Sequence, residues 1–163
     1  MKLKNLKVSF LFGENILQKK DGTEKVKFKQ RGVSYTVYKH TPTLLNVTGI
    51  KTLAQIKKEK MEMEKYFEKY IVKVRIDNLF FSEKNEKNIN LNAIETYLKN
   101  NEMFTVNYHQ ELFPGMHLLP KDKKYPTIGL FRSGSFTMMG STCMVSIIES
   151  EAFLHSLIQT FKK

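Results

Sequence analysis

Apolar and polar residues alternate along this chain with two different periods, and the switches between them mark out the elements. Residues 3–12 read as a strand flanked by lysines. Residues 25–29 alternate at period two, Arg31-Gly32 supplies a tight turn, and residues 33–40 are rich in β-branched and aromatic side chains. Thr41-Pro42-Thr43 turns the chain into a further strand at residues 44–48, closed by Gly49. Together these predict an antiparallel meander. The period then lengthens. Thr52 with Gln55 fits a capping box, and Leu53, Ile56, Met63, Phe67 and Tyr70 recur at three-residue, four-residue or heptad spacing. An amphipathic helix of about four turns is expected on the sheet, with Lys57, Lys58, Glu59, Glu62 and Glu64 on its polar side.

The same order recurs further on. Residues 71–76 read as a strand, 82–90 as a charged loop, and Leu91, Ile94, Tyr97 and Leu98 mark a short helix. Strands are expected at 104–106, 116–119, 125–131 and 136–139, with a lysine-rich turn at 120–124 and a Ser133-Gly134-Ser135 turn. The last helix runs from about residue 142 or 146 to Phe161. Ser146 and Glu149 are its capping box, and Ile147, Leu154, Ile158 and Phe161 its buried stripe. Gly49 and Gly140, 91 residues apart, each separate a hairpin from a long helix, and nine residues separate both His40 from Gly49 and Phe131 from Gly140. Long-range repetition of this kind predicts two pseudo-symmetric repeats, residues 1–69 (shortened) and 70–163, in one α+β domain.

Composition narrows the function. The 163 residues carry 27 Lys+Arg against 16 Asp+Glu, a formal charge of +11, and the isoelectric point is near 9.6. Such a balance fits a nucleic acid or acidic partner, although the abundance of Lys and Asn also reflects an A·T-rich coding bias. Twelve Phe and seven Tyr are enough to fill a core. No apolar run approaches the ~20 residues of a membrane span and no apolar leader opens the chain, so neither a membrane partner nor secretion is expected. Cys143 is the lone cysteine, and His40, His109, His117 and His155 have no metal-ligand spacing. Glycine-rich phosphate loops and nucleophile–histidine motifs are absent, and Asp77, Glu111 and Glu149 form no carboxylate pair. The expectation is a binding protein with no catalytic residues, metal or cofactor.

The string Tyr108-His109-Gln110-Glu111-Leu112-Phe113-Pro114-Gly115, followed by Gly129-Leu130-Phe131-Arg132-Ser133-Gly134-Ser135-Phe136-Thr137-Met138-Met139-Gly140, resembles the second repeat of the TATA-box-binding protein family. The first repeat resembles it more loosely, through Asn46-Val47-Thr48-Gly49-Ile50-Lys51 and the helix that follows. The resemblance implies a TBP-like saddle: two pseudo-symmetric repeats forming one curved antiparallel sheet, with helices on the convex face. The concave face of such proteins lies on the DNA minor groove, and phenylalanines at its ends wedge between base steps and kink the duplex. It implies a general transcription initiation factor acting on A·T-rich, TATA-like promoter DNA in the nucleus. The departures described below are those of a divergent member, such as one encoded by a large DNA virus and working in a cytoplasmic viral factory.

By the same resemblance the DNA-facing residues are Asn5, Thr36, Tyr38, His40, Asn46, Thr48 and Lys51 in the first repeat. In the second they are Phe113, Thr127, Gly129, Phe131, Thr137 and Met139. Such a face, free of carboxylates, would press on base edges at little desolvation cost. Phe113 and Phe131 are the second-repeat wedges; His40 stands in place of a first-repeat wedge, with Tyr38 beside it. Asn5 matches a central asparagine of the family, with Ile71 as its repeat partner. Glu111 and Leu112 match the docking point for a factor IIB-like partner, which would link the chain to the RNA polymerase machinery. A homodimer is an expectation in the absence of DNA. The first repeat has no Leu-Phe-Pro string, and Ser135 and Thr142 replace lysines, so phosphate contacts fall to Lys2, Lys4, Lys7, Lys121, Lys123, Lys124 or Arg132. The competing reading is a TBP-like interaction module in transcription that has lost strong bending.

Overall fold

A computed structural model describes residues 1–17 and 25–163; the connection at 18–24, part of the shortened first repeat, lies outside the described residues. The chain forms two compact units, one of residues Asn5–Asn78 and one of Met1–Lys4 with Leu79–Lys163. Two strands, β1 (Lys2–Phe12) and β5 (Ile71–Glu83), contribute residues to both.

The N-terminal unit adds β2 (Lys25–Gln30), β3 (Val33–Tyr38), β4 (Leu44–Ile50) and α1 (Leu53–Phe67), with strand order β2-β3-β4-β1-β5. The pairings of β2 with β3, β3 with β4 and β1 with β4 are antiparallel. Strand alternation sends Val33, Tyr35, Val37, Leu45, Val47, Val8 and Phe10 to one buried face. Helix α1 covers that face: Phe28 stacks between Tyr35 and Tyr66 at 4.9 Å each, and Phe12 meets Phe67 edge-on at 5.4 Å.

The C-terminal unit adds α2 (Leu91–Leu98), β6 (Phe104–Asn107), β7 (Gly115–Pro120), β8 (Thr127–Phe131), β9 (Phe136–Ser141) and α3 (Met144–Phe161), in the order β5-β9-β8-β7-β6. These pairings are antiparallel too. Met116, Leu118, Ile128, Leu130, Phe136 and Met138 are buried on the helix side with Ile147, Leu154, Leu157 and Ile158 of α3. Each large apolar side chain so buried contributes about 1.5–3 kcal/mol.

The α1 capping box forms: the Thr52 hydroxyl accepts from the Gln55 amide at 3.2 Å, while the Gln55 side chain accepts from the Lys51 amide at 2.9 Å. Other expectations are corrected. The helix ends at Phe67 with Glu68 left-handed (φ 54°), so Tyr70 lies beyond it and is 84% exposed, and Leu53 is exposed as well. Glu59, assigned above to the polar side, is buried, because Arg31 pairs with it at 2.9 Å and the Tyr35 hydroxyl donates to it. Helix α3 begins at Met144 after Cys143, so the Ser146–Glu149 box does not form. Ser146 is buried in the first turn, and Glu149 accepts from the Tyr125 hydroxyl at 2.8 Å.

The internal repeat is exact at the bulges. On β4, Ile50 and Val47 face Leu6 and Val8; on β9, Ser141 and Met138 face Leu79 and Phe81. Each edge therefore carries one extra residue, and each bulge holds a glycine of positive φ, Gly49 (94°) and Gly140 (88°). Leu6 thus corresponds to Leu79, which makes Asn78, and not Ile71, the counterpart of Asn5.

Candidate nucleic-acid interface

In each unit the sheet face away from its helices carries the residues singled out above. On the C-terminal unit, Thr127, Gly129 and Phe131 alternate with the buried Ile128 and Leu130, and Thr137 and Met139 alternate with Phe136 and Met138. Register sets Thr127 against Met139 and Gly129 against Thr137. A side chain at Gly129 would put its Cβ 2.9 Å from the Thr137 hydroxyl oxygen, so glycine is what lets that hydroxyl lie across the strand.

The wedge candidates come together at one end of this face. Phe131 is paired with Gly115, and Phe113 arrives from the turn closed by its amide and that of Leu112 on the His109 carbonyl. The two rings lie 5.8 Å apart, and Phe113 stacks on His117 at 4.7 Å and 12°. Both rings rest on the bare backbone of Gly115, where a Cβ would come within 2.8 Å of Phe113 and 2.9 Å of Phe131. Phe113 remains 37% exposed, which argues against a core role for it. Glu111 and Leu112 project from the same turn, Leu112 with 85% of its surface exposed.

On the N-terminal unit, Thr36 and Tyr38 of β3 and Asn46 and Thr48 of β4 share the open face, and the Asn46 amide donates to the Thr36 carbonyl at 3.3 Å. The Asn5 side chain accepts from the Gly49 amide at 3.2 Å, at the bulge, and Lys51 follows β4 at the surface. His40 does not occupy the position matching Phe131. Thr36 pairs with Asn46 as Gly129 pairs with Thr137, so two residues along the strand the equivalent of Phe131 is Tyr38. The equal nine-residue spacing misled because the first hairpin has a loop two residues longer. His40 sits in that loop, its ring 5.6 Å from Tyr38.

Several residues of these faces escaped the sequence reading. Register sets Lys27 beside Thr36 and Lys29 beside Ser34 on β2, which gives the N-terminal unit a cationic edge. In the C-terminal unit Thr105, Asn107, His117 and Leu119 share the open face, a placement the buried alternates Met116 and Leu118 would have signalled. The Ser9 hydroxyl, buried on β1, donates to the Asp77 carboxylate of β5. Lys124 is turned to the helix side: its ammonium lies 5.0 Å over the Tyr125 ring, whose hydroxyl bonds Glu149 of α3.

Away from these faces, Glu83, Glu151 and His155 bring ligand-type atoms within 4.8 Å of one another. Glu83 already bonds the Met1 ammonium at 2.8 Å and His155 at 2.9 Å. No helix among the described residues is long and apolar enough to cross a membrane.

Two antiparallel units of matching register, each with helices on one sheet face and the other left open, define an α+β fold of the TATA-binding-protein type. The solved structure of Methanococcus jannaschii TBP matches it with a TM-score of 0.71 over 98% of both chains, at 18% identity. The family model described as "Transcription factor TFIID (or TATA-binding protein, TBP)" matches residues 73–161, more than half of the chain. This chain belongs to that family, and it is a TBP-like transcription factor, not an enzyme. No curated protein matches it.

Proposed function

We propose that the chain binds A·T-rich promoter DNA in the minor groove, bends it from the Phe113–Phe131 end, and recruits a factor IIB-like partner through Glu111 and Leu112. Wedge insertion is the mechanism known for this family. The observation that carries the reading is the pair of rings lying on Gly115 with Phe113 partly exposed at the edge of an open face. Thr127, Thr137, Asn46 and Thr48 suit the acceptor-lined floor of an A·T groove, because hydroxyls and amides can donate to it. Lys27, Lys29 and Lys51 supply phosphate contacts. The nucleus is the proposed site of action, or a viral factory if the chain is virus-encoded.

Fluorescence energy transfer across an end-labelled TATA-containing duplex, with a G·C-rich control, tests this. Tighter binding to the first, with a shortened end-to-end distance, is expected. Equal weak binding to both, abolished by moderate salt, would reduce the interaction to unspecific electrostatics. The second reading, an interaction module without strong bending, is favoured by one observation: the N-terminal unit carries Tyr38, with the His40 ring 5.6 Å away, at the position that matches the Phe131 wedge. Recruitment of the partner factor without any change in duplex geometry would establish it.

A further inference from the structure

We infer that His117 is a further groove contact of the C-terminal unit, entering an A·T minor groove as an imidazolium that donates to base acceptors, an inference that rests on the minor-groove reading above. On β7 it alternates with Met116 and Leu118, both fully buried on the helix side. Register sets it in a row across the open face, between Asn107 of β6 and Gly129 of β8, with Thr137 of β9 beyond. Gly129 puts no side chain against the imidazole on that flank. The ring lies flat on Phe113, at 4.7 Å and 12°. Its two nitrogens lie in the ring plane, so the stack covers neither N–H direction. Among the described residues they have no hydrogen-bond partner.

Charge sets His117 apart from its neighbours. The other open-face positions of β6, β7, β8 and β9 hold Thr, Asn, Gly, Leu, Phe and Met, so His117 is the one side chain among them able to carry a charge. The N-terminal unit has Lys27 and Lys29 at its edge instead. Asn107 and Gly129 flank the ring, and the turn that delivers Phe113 carries Tyr108, His109 and Glu111 as its titratable groups. None of these hydrogen-bonds or ion-pairs with His117 among the described residues. The floor of an A·T pair shows only acceptors, adenine N3 and thymine O2, and a narrow A·T-rich groove concentrates a negative potential that attracts inserted Arg, Lys or His. An imidazolium donates from both nitrogens, whereas the neutral ring donates from one and presents an acceptor on the other. The groove therefore binds the charged form better, and by linkage the complex takes up a proton as it forms. The stack does not oppose that charge, because an aromatic face attracts a cation held within about 6 Å of it.

Calorimetric titration of the unaltered full chain with an A·T-rich duplex, repeated near neutral pH in buffers of different ionisation enthalpy, counts the protons exchanged. Uptake of about half a proton or more is expected, with binding about fivefold tighter at about pH 6 than at about pH 8. His117→Gln keeps a donor but cannot titrate, so its uptake should vanish and its affinities at the two pH values should agree within about twofold. No uptake by the unaltered chain overturns the inference, and that result depends on no variant folding. Uptake that survives His117→Gln undiminished overturns it as well. If the A·T duplex is bound and bent with neither uptake nor pH dependence, only this inference falls. If no duplex is bound at low salt at either pH, the promoter-binding reading falls and takes this one with it.

Discussion

Phe113 and Phe131 meet at a ring distance of 5.8 Å over a residue with no side chain, Gly115. An added methyl group there would touch both rings and displace them without backbone strain, since Gly115 has no positive φ. Gly115→Ala is expected to keep the fold, remove most of the energy-transfer change on A·T-rich duplex, and weaken binding about tenfold, or ~1.4 kcal/mol. An unchanged bend would show that the rings do not act as wedges.

Arg31, Tyr35 and Glu59 predict a stability effect remote from that face. Burial, and then the Glu59 carboxylate beside it, push the Tyr35 hydroxyl far above the usual tyrosine range, and the hydrogen bond to Glu59 raises Arg31. Arg31→Met would leave Glu59 buried and without its cation, at a cost of about 3 kcal/mol. Tyr35→Phe removes one bond and should cost about 1–2 kcal/mol. Urea unfolding monitored by circular dichroism measures both, and a change under about 0.5 kcal/mol for Arg31→Met would mean the ion pair does not hold the helix to the sheet.

These cases show what could be read from residue order alone. Local signals succeeded where one period governs: the alternation of β3, β4, β8 and β9, the Thr52 cap and the two bulge glycines all lie where spacing puts them. Long-range pairing was opaque. Glu59 reads as solvated on any helical wheel until Arg31 and Tyr35, 28 and 24 residues away, are brought against it. His40 and Tyr38 exchange roles because hairpin loop length, invisible to a residue count, sets the register. Asp77 finds its hydrogen-bond partner in Ser9, 68 residues earlier.

Acid should act through Glu83. Burial alone would raise its carboxyl, but hydrogen bonds from the Met1 ammonium, Asn85 and His155 outweigh it and draw it down from 4.5 to about 2. The folded state therefore favours the ionised form. Its stabilisation is complete above about pH 4.5 and is lost as the pH falls toward 2. Glu83→Gln should be less stable than the parent at neutral pH, with the two converging as the pH falls through that window. Thermal melts across the range decide it: a constant difference would exclude Glu83 as the titrating group.

Glu111 and Leu112 share an exposed turn with Phe113, so partner docking and DNA binding must be separated by experiment. Glu111→Arg should reduce recruitment of a factor IIB-like protein to a preformed DNA complex by about tenfold or more, through reversal of a contact charge. Binding and bending of the duplex should stay within about twofold of the parent, since Glu111 is exposed and the atoms nearest a Cβ on Gly115 belong to Phe113 and Phe131. Undiminished recruitment in a mobility-shift assay would remove this turn as the docking point.

The two bulge glycines offer a matched comparison within one molecule. Gly49 and Gly140 have φ values of 94° and 88°, so alanine at either strains the backbone by about 1–2 kcal/mol. Their surroundings differ. At Gly49 a Cβ would sit 2.8 Å from the Gly32 carbonyl oxygen, a backbone atom of the tight turn before β3, whereas a Cβ at Gly140 would meet nothing within 4 Å among the described residues. Gly49→Ala must therefore shift the β2–β3 turn as well as carry the strain, and it should cost at least ~1 kcal/mol more than Gly140→Ala. Equal losses in denaturant unfolding would mean that φ alone sets the cost and that the turn yields freely. A larger loss at Gly140 would contradict the bulge geometry assigned to both.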